Sequence, residues 1–462
     1  MNRVKILTLF LILFAVVFYI VKSRGPNILI ITIDALRPDH LGCYGYSRDT
    51  SANIDSLAAD GAVFKQAISQ ATWTHPSNCA FFTSSYPYMH IIGGESYLNP
   101  DKLSLAKVLK KSGYRTIFIT DYPTIMNRIR GFQEQFKEYI DINEDDPKKL
   151  TGLALDILSK NRKKKFLLWV YYFGTHEQYG DFSDYSKSFY QDGLLESTSI
   201  DMQPDYSSRL FGVIPKCLQE NGISDPSYYI AKYDGRLKLI DDQIGLIIDK
   251  LKELNLYKNT LIILLSDHGE SLGENNLYFQ HTNNLYDSSL KVPLLLYCPG
   301  LVAPGTVVTK QVGLIDVMPT ILDILKIRYG QNLNMEGKSM VPLILKDQII
   351  RPYVFSELDS WIFSVRSESH KLIYIDRQLK KDSHWFEYYK NDYELYDLKK
   401  DPLERVNLIF EQEELYIYLR EKLNQYVEQA RAYQERLSQE IDFDTDIQDE
   451  ETKEKLRSLG YF

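Results

Sequence analysis

The sequence predicts an α/β protein built on a large, mixed but mostly parallel sheet, with a small antiparallel sheet and a helix appended at its C-terminal end. Two patterns carry this reading. Continuous apolar runs rich in β-branched residues, suited to strands buried on both faces, alternate with segments whose apolar residues recur at three and four. Beyond residue 350 the pattern changes to short strand-like runs closed by one long helix.

The first element is apolar and lies outside that fold. After Arg3 and Lys5, residues 6–21 (ILTLFLILFAVVFYIV) carry no charge, and as a helix they would span about 24 Å at 1.5 Å per residue. No A-x-A-like cleavage site follows, and Lys22 and Arg24 flank the exit, so residues 1–25 are expected to be an uncleaved signal anchor. Cleavage after Ser23 or a buried core helix are the alternatives. Either anchor or signal would export the rest, giving a cell-membrane protein with its folded part outside the cytoplasm, or a secreted one.

Pro26 and the run 27–33 (NILIITI) begin the folded part at once. Comparable runs recur at 114–120 (YRTIFIT), 166–172 (FLLWVYY), 260–266 (TLIILLS) and 292–297 (VPLLLY). Helical patterns at 104–111 and 228–254 stand between them. Residues 177–227, rich in Ser, Asp, Tyr and Gly, break the rhythm and read as a long insertion over one end of the sheet. A main domain over 26–350 is then followed by a subdomain over 351–437. Its short runs fall at 353–357, 362–366, 371–375 and 394–398, with a helix at 411–437. A charged tail covers 438–462. The segment 160–165 (KNRKKK) reads as an exposed helix-to-strand turn; for it and for the tail, a lipid-contacting patch is the alternative.

Composition narrows the function. The 462 residues include 54 Lys+Arg against 62 Asp+Glu, a formal charge of −8, which argues against a nucleic-acid partner needing a broad basic face. Hydrophobic residues at 44% and charged residues at 25% exclude a disordered chain. Four cysteines without a C-x-x-C pair are too few for a disulfide framework. The composition leaves the oligomeric state open.

Ligands of open α/β sheets gather at the carboxyl ends of strands. NILIITI ends in Asp34, and TLIILLS is followed by Asp267-His268-Gly269-Glu270. Two carboxylates and an imidazole at such ends suit one divalent cation, Ca²⁺, Mn²⁺, Zn²⁺ or Mg²⁺. In the run 73–83 (WTHPSNCAFFT), Pro76 is tolerated in a first helical turn, which puts Thr74 at a helix N-terminus where free amides favour an anion. A hydroxyl there, beside a cation, is a nucleophile toward phosphorus or sulfur; the plainer role is an N-cap.

These residues resemble the sulfatase group of the alkaline phosphatase superfamily. The similarity runs through NILIITIDALRPDHLGCYGY, THPSNCAFFTSSYP, YDGRLKLIDDQIGLIIDKL, LSDHGE, HTNNLYDSSLKVPLLLYCPG, YELYDLKKDPLERVNL and the final LRSLGYF. The resemblance implies a metal held by Asp34, Asp267, His268 and Thr74. It implies His176 and His281 as groups that contact the transferred group or assist the leaving oxygen, and Asn78, at the place of the relatives' Arg, as a substrate contact; Arg37 can also reach the anion, a surface role being the alternative. It also implies an anionic ester substrate, on a glycan or a lipid head group. Two departures matter. The Cys or Ser that relatives mature to formylglycine in a C/S-x-P-x-R pattern is Thr74 here, with Asn78 in place of the Arg. The Asp pair that opens many sulfatases is Asp34-Ala35. Superfamily members with Thr at this position, among them nucleotide phosphodiesterases and phosphoglycerol transferases, act on phosphate esters through a phosphothreonine. The expected activity is therefore hydrolysis or transfer of phosphate mono- or diesters by a Thr nucleophile. A sulfuric ester hydrolase proper and a catalytically inactive binder of anionic glycans or head groups are the alternatives.

Overall fold

The computed structural model describes residues 25–440 apart from 93–94, 100–101, 122–125, 127, 177, 182, 191–199, 204–210, 221, 329–334 and 379–390. The expected anchor within residues 1–25 and the charged tail 438–462 therefore fall, almost entirely, outside the described residues. Among the described residues no helix is long and apolar enough to cross a membrane.

Eight strands form the main sheet: β1 (Asn27–Ile33), β2 (Ala62–Phe64), β3 (Arg115–Thr120), β4 (Glu138–Asp141), β5 (Phe166–Tyr172), β6 (Thr260–Leu265), β7 (Leu294–Tyr297) and β8 (Thr306–Val308). Their order is β8-β2-β7-β6-β1-β5-β3-β4. Only β7 runs against the others. The central strands are apolar at every position because both faces are covered, and alternate side chains feed two cores. Ile28, Ile30, Phe118, Trp169, Ile263 and Leu265 enter one core. Leu29, Ile31, Val170, Ile262 and Leu264 enter the other.

Helices cover both faces: α1 (Ala52–Asp60), α2 (Thr74–Thr83), α3 (Pro147–Asn161) and α4 (Pro226–Glu253). The 28-residue α4 starts at an Asp225 N-cap with Pro226 in its first turn, and it buries Leu237, Ile240, Ile244 and Ile247 against the second core. On the other face, α2 wedges Phe81 and Phe82 against Trp169, ring centroids 4.9 and 5.4 Å away. This anchors the first turn of α2 over the carboxyl end of the sheet. In the stretch read as an insertion, the described residues hold a short helix, Asp184–Phe189, and two-residue strands Asp201–Met202 and Val213–Ile214.

The C-terminal part is an antiparallel sheet of β9 (Val354–Leu358), β10 (Ile362–Arg366), β11 (His370–Ile375) and β12 (Tyr393–Asp397). Helix α5 (Glu413–Glu440) packs Leu419, Leu423, Tyr426 and Val427 on Phe363, Val365, Leu372 and Leu395. Ion pairs bind this sheet to the main body. Asp287 faces Lys371 Nζ at 2.8 Å and Arg366 Nη2 at 2.9 Å, while Lys371, fully buried, also pairs with Glu404 at 2.6 Å.

Candidate metal centre and active site

Strand β1 delivers Asp34, and β6, its direct parallel neighbour, delivers Asp267 and His268. The turn after β1 is held by cross-links: Leu36 N donates to Ser266 Oγ (2.8 Å), and Tyr233 Oη of α4 donates to the carbonyl of Ala35 (2.9 Å). Ala35 sits at φ +56°, a left-handed conformation that costs a non-glycine residue about 1 kcal/mol or more and persists where surrounding structure enforces it. After β6, a Cβ at Gly269 would lie 2.2 Å from the Ser288 carbonyl oxygen, so the DHGE turn requires glycine there.

Asp34, Asp267 and His268 are fully buried, and each offers a ligand atom within 4.8 Å of the others. His268 Nε2 lies 3.2 Å from Asp34 Oδ1 and 3.8 Å from Asp267 Oδ2. Its Nδ1 is 2.9 Å from the Gly269 carbonyl, which makes Nδ1 the donor and, once the ring gives up its second proton, turns the Nε2 lone pair toward the carboxylates. Helix α2 begins at Thr74. Its Oγ1 lies 3.4 Å from Asp34 Oδ2 and 3.3 Å from His268 Nε2.

Asn78 and Arg37, the expected substrate contacts, are both engaged by groups of the protein itself. Asn78 Nδ2 donates to the Thr74 carbonyl (2.8 Å) and to Asp267 Oδ2 (2.9 Å), so it supports a carboxylate. The Arg37 guanidinium is taken up by Asp39 (2.6 Å), Glu274 (2.7 Å) and the Glu270 carbonyl (3.1 Å). An anion at Arg37 would compete with two carboxylates. The two expected histidines do join the cluster: the His281 ring stacks on His268 at 4.3 Å, and His176 meets His281 edge-on at 4.9 Å. Glu270 holds His281 Nδ1 at 3.3 Å.

Sequence reading missed Tyr171. Its hydroxyl lies 2.8 Å from Asp34 Oδ2 and 2.9 Å from Asp267 Oδ2, between the two carboxylates. An aromatic inside FLLWVYY reads as core. The signal is its place at the carboxyl end of β5, opposite Thr32 of β1. Ser77, whose Oγ donates to the Asp267 carbonyl at 2.5 Å, was missed as well.

Burial and like charge dominate the electrostatics. Burial, reinforced by the charge of Asp34, pushes Asp267 up to about 7. Asp34 is held below the usual carboxylate range: burial opposes this, and the hydrogen bond and charge of His268 outweigh it. His268 is raised to about 9 because Asp267 and Asp34 outweigh burial, whereas burial and the two neighbouring imidazoles drive His281 well below its ordinary value. The donor set fits a divalent cation. Two carboxylates and an imidazole, all fully buried, converge with a ligand atom each within 4.8 Å of the others.

Protons compete with a cation for Asp267 and His268. Cation uptake is therefore expected to release protons, and affinity to rise with pH between about 6 and 9, by up to about tenfold per pH unit for each proton displaced. Titration of Mn²⁺ or Zn²⁺ in buffers of differing ionisation enthalpy measures both quantities; affinity independent of pH would contradict the assignment.

Comparison with known proteins agrees with this geometry. A family model described as Sulfatase matches residues 26–327, and one described as N-sulphoglucosamine sulphohydrolase, C-terminal, matches 273–432. The chain is 23% identical over 420 residues to a Δ4,5-hexuronate-2-O-sulfatase of Bacteroides thetaiotaomicron, covering 84% of this chain and 85% of the relative. The phosphonate monoester hydrolase of Agrobacterium radiobacter superposes with a TM-score of 0.68 at 19% identity, over 88% of this chain and 96% of that one. A structure solved with its substrate D-glucosamine-2-N,6-O-disulfate gives a TM-score of 0.68 at 18% identity, over 89% and 98%. With a family model spanning residues 26–327 and so most of the main domain, the chain belongs to the sulfatase family of ester hydrolases.

Proposed function

We propose that this sulfatase-family hydrolase cleaves, or transfers from, phosphate mono- or diesters by way of a covalent adduct on Thr74. The observation that carries the reading is the Thr74 hydroxyl at the first turn of α2, within 3.4 Å of Asp34 and His268. Asp34, Asp267, His268 and Thr74 would hold one divalent cation, which supplies charge stabilisation to the hydroxyl and to the developing anion. Asn78, Tyr171 and Ser77 fix Asp267 and Asp34, so the hydroxyl is presented without reorganisation. His281, kept neutral by burial and by its imidazole neighbours, is suited to relay a proton with His176 as the ester oxygen departs.

Phosphate is preferred to sulfate because a formylglycine hydrate can expel sulfate by elimination, whereas a threonine ester must await attack by water or an alcohol. The named sulfatases among the relatives favour sulfate esters as the second reading. Residues 6–21 are read as the membrane anchor of a domain held outside the cytoplasm.

Turnover of aryl sulfate, phosphate monoester, phosphate diester and phosphonate, each across several metals, tests the reading. A phosphate ester is expected to be the best substrate. Turnover of sulfate esters alone overturns the choice of phosphate, and turnover of none with stoichiometric metal bound leaves a binding protein.

A further inference from the structure

The chain joins its folded part at the N-terminal ends of the parallel strands, the end of the sheet opposite the catalytic cluster. Gly25 and Asn27 there line a cleft of about 960 Å³. Arg162, Lys163, Lys164 and Lys165, from the turn before β5, line it too, joined by Lys110, Arg115 and Lys137. Seven of its fourteen lining residues are cationic and none is acidic, in a chain whose Asp+Glu outnumber Lys+Arg by 62 to 54. Lys110, Lys137, Arg162, Lys163 and Lys164 are exposed. Among the described residues only Arg115 of the seven is ion-paired, with Glu138. The cleft floor is ordered: Tyr114 Oη donates to the Pro26 carbonyl at 3.0 Å, and Arg115 N to the Lys165 carbonyl at 3.0 Å.

Position in the chain makes this patch more than a solvated turn. The uncharged run ends at Val21, four residues before Gly25, and four residues reach at most about 14 Å when fully extended. Attached to a run that enters a bilayer, the edge of the cleft at Gly25 lies at most about 14 Å from the end of that run, within about two Debye lengths at physiological salt.

We propose that this cationic cleft docks on an anionic lipid surface, fixing the main sheet with the N-terminal ends of its strands against the membrane. The inference rests on the reading of residues 6–21 as an anchor. The partner is specified by chemistry as a bilayer bearing anionic headgroups, since clustered Lys and Arg beside a membrane segment are drawn to such a surface. Lys22 and Arg24, between the run and the cleft, extend the same charge.

The test uses the full chain in vesicles of phosphatidylcholine alone or mixed with phosphatidylglycerol. A water-soluble amine-acylating reagent is applied and modification is read at each lysine by mass spectrometry. Lys110, Lys137, Lys163 and Lys164 are expected to react at least about threefold more slowly on the anionic vesicles, while Lys399 and Lys400 react alike on both. High salt should remove the difference. The triple variant R162Q/K163Q/K164Q should lose most of the protection at Lys110 and Lys137 while staying with the vesicles and keeping its turnover of a soluble ester. Equal acylation of the four lysines on both vesicle types overturns the docking surface. If the chain leaves neutral vesicles, the anchor reading falls instead. Cosedimentation with anionic vesicles alone then still supports the cleft, and its absence overturns it.

Discussion

Thr74→Ala is expected to lower kcat by at least about 10⁴-fold, about 5.4 kcal/mol of transition-state stabilisation, as loss of a covalent nucleophile does elsewhere. The substitution leaves Asp34, Asp267 and His268 in place and removes the hydroxyl that faces Asp34 and His268, together with one methyl group. The melting temperature should therefore barely move, and cation binding should weaken only slightly. Thr74→Ser keeps an oxygen at the same first turn of α2 and should exceed the alanine variant by at least about tenfold. A reaction of wild type with a phosphodiester, quenched in acid, should leave a phosphoryl group on the peptide containing Thr74, provided its breakdown does not outrun its formation. Turnover by Thr74→Ala close to wild type would eliminate the adduct and make water the attacking group.

The largest expected loss of stability comes from a residue far from any chemistry. Lys371 is fully buried and neutralises both Asp287 of the main domain and Glu404. Its charge and that of Arg366 hold Asp287 well below the usual carboxylate range against the burial that would raise it. Lys371→Met keeps the length of the side chain but leaves the buried Glu404 and the half-buried Asp287 with one cation, Arg366, which reaches only Asp287. Removing one partner of such a buried network costs about 3–5 kcal/mol. Urea unfolding of the variant should show that loss, with the C-terminal sheet detaching first. A midpoint equal to wild type would show that water enters the junction and solvates the carboxylates.

The sequence discloses what depends on burial and hides what depends on orientation. NILIITI and FLLWVYY coincide with β1 and β5 because strands covered on both faces must be apolar at every position. Strand β4, EYID, is half-buried along its length at the sheet edge and shows no such run. Strands β2 and β8, three residues each, are too short to carry a pattern. Helices α1 and α3 were also passed over between stronger signals. Asp34, Asp267 and His268 stood out as polar residues ending apolar runs. Tyr171 did not, since only the parallel register of β1, β5 and β6 aims its hydroxyl at both carboxylates. Asn78 and Arg37 show the converse. Their chemistry suits an anion, but their partners are Asp267 in one case and Asp39 with Glu274 in the other.

Chain polarity also works as a gauge of height. Strand β1 carries the chain from its first folded residues to Asp34 over seven residues, about 23 Å at 3.3 Å per residue. Were the opposite end of the sheet docked on a membrane with its strands upright, the Thr74 hydroxyl would stand about that far above the headgroups. Esters on lipids of the same leaflet would then lie beneath it. Esters in solution, or borne on polymers projecting from a neighbouring surface, pass at its level. Tethering would then fix the altitude at which this enzyme works, and the sorting of substrates would begin with how tall they stand.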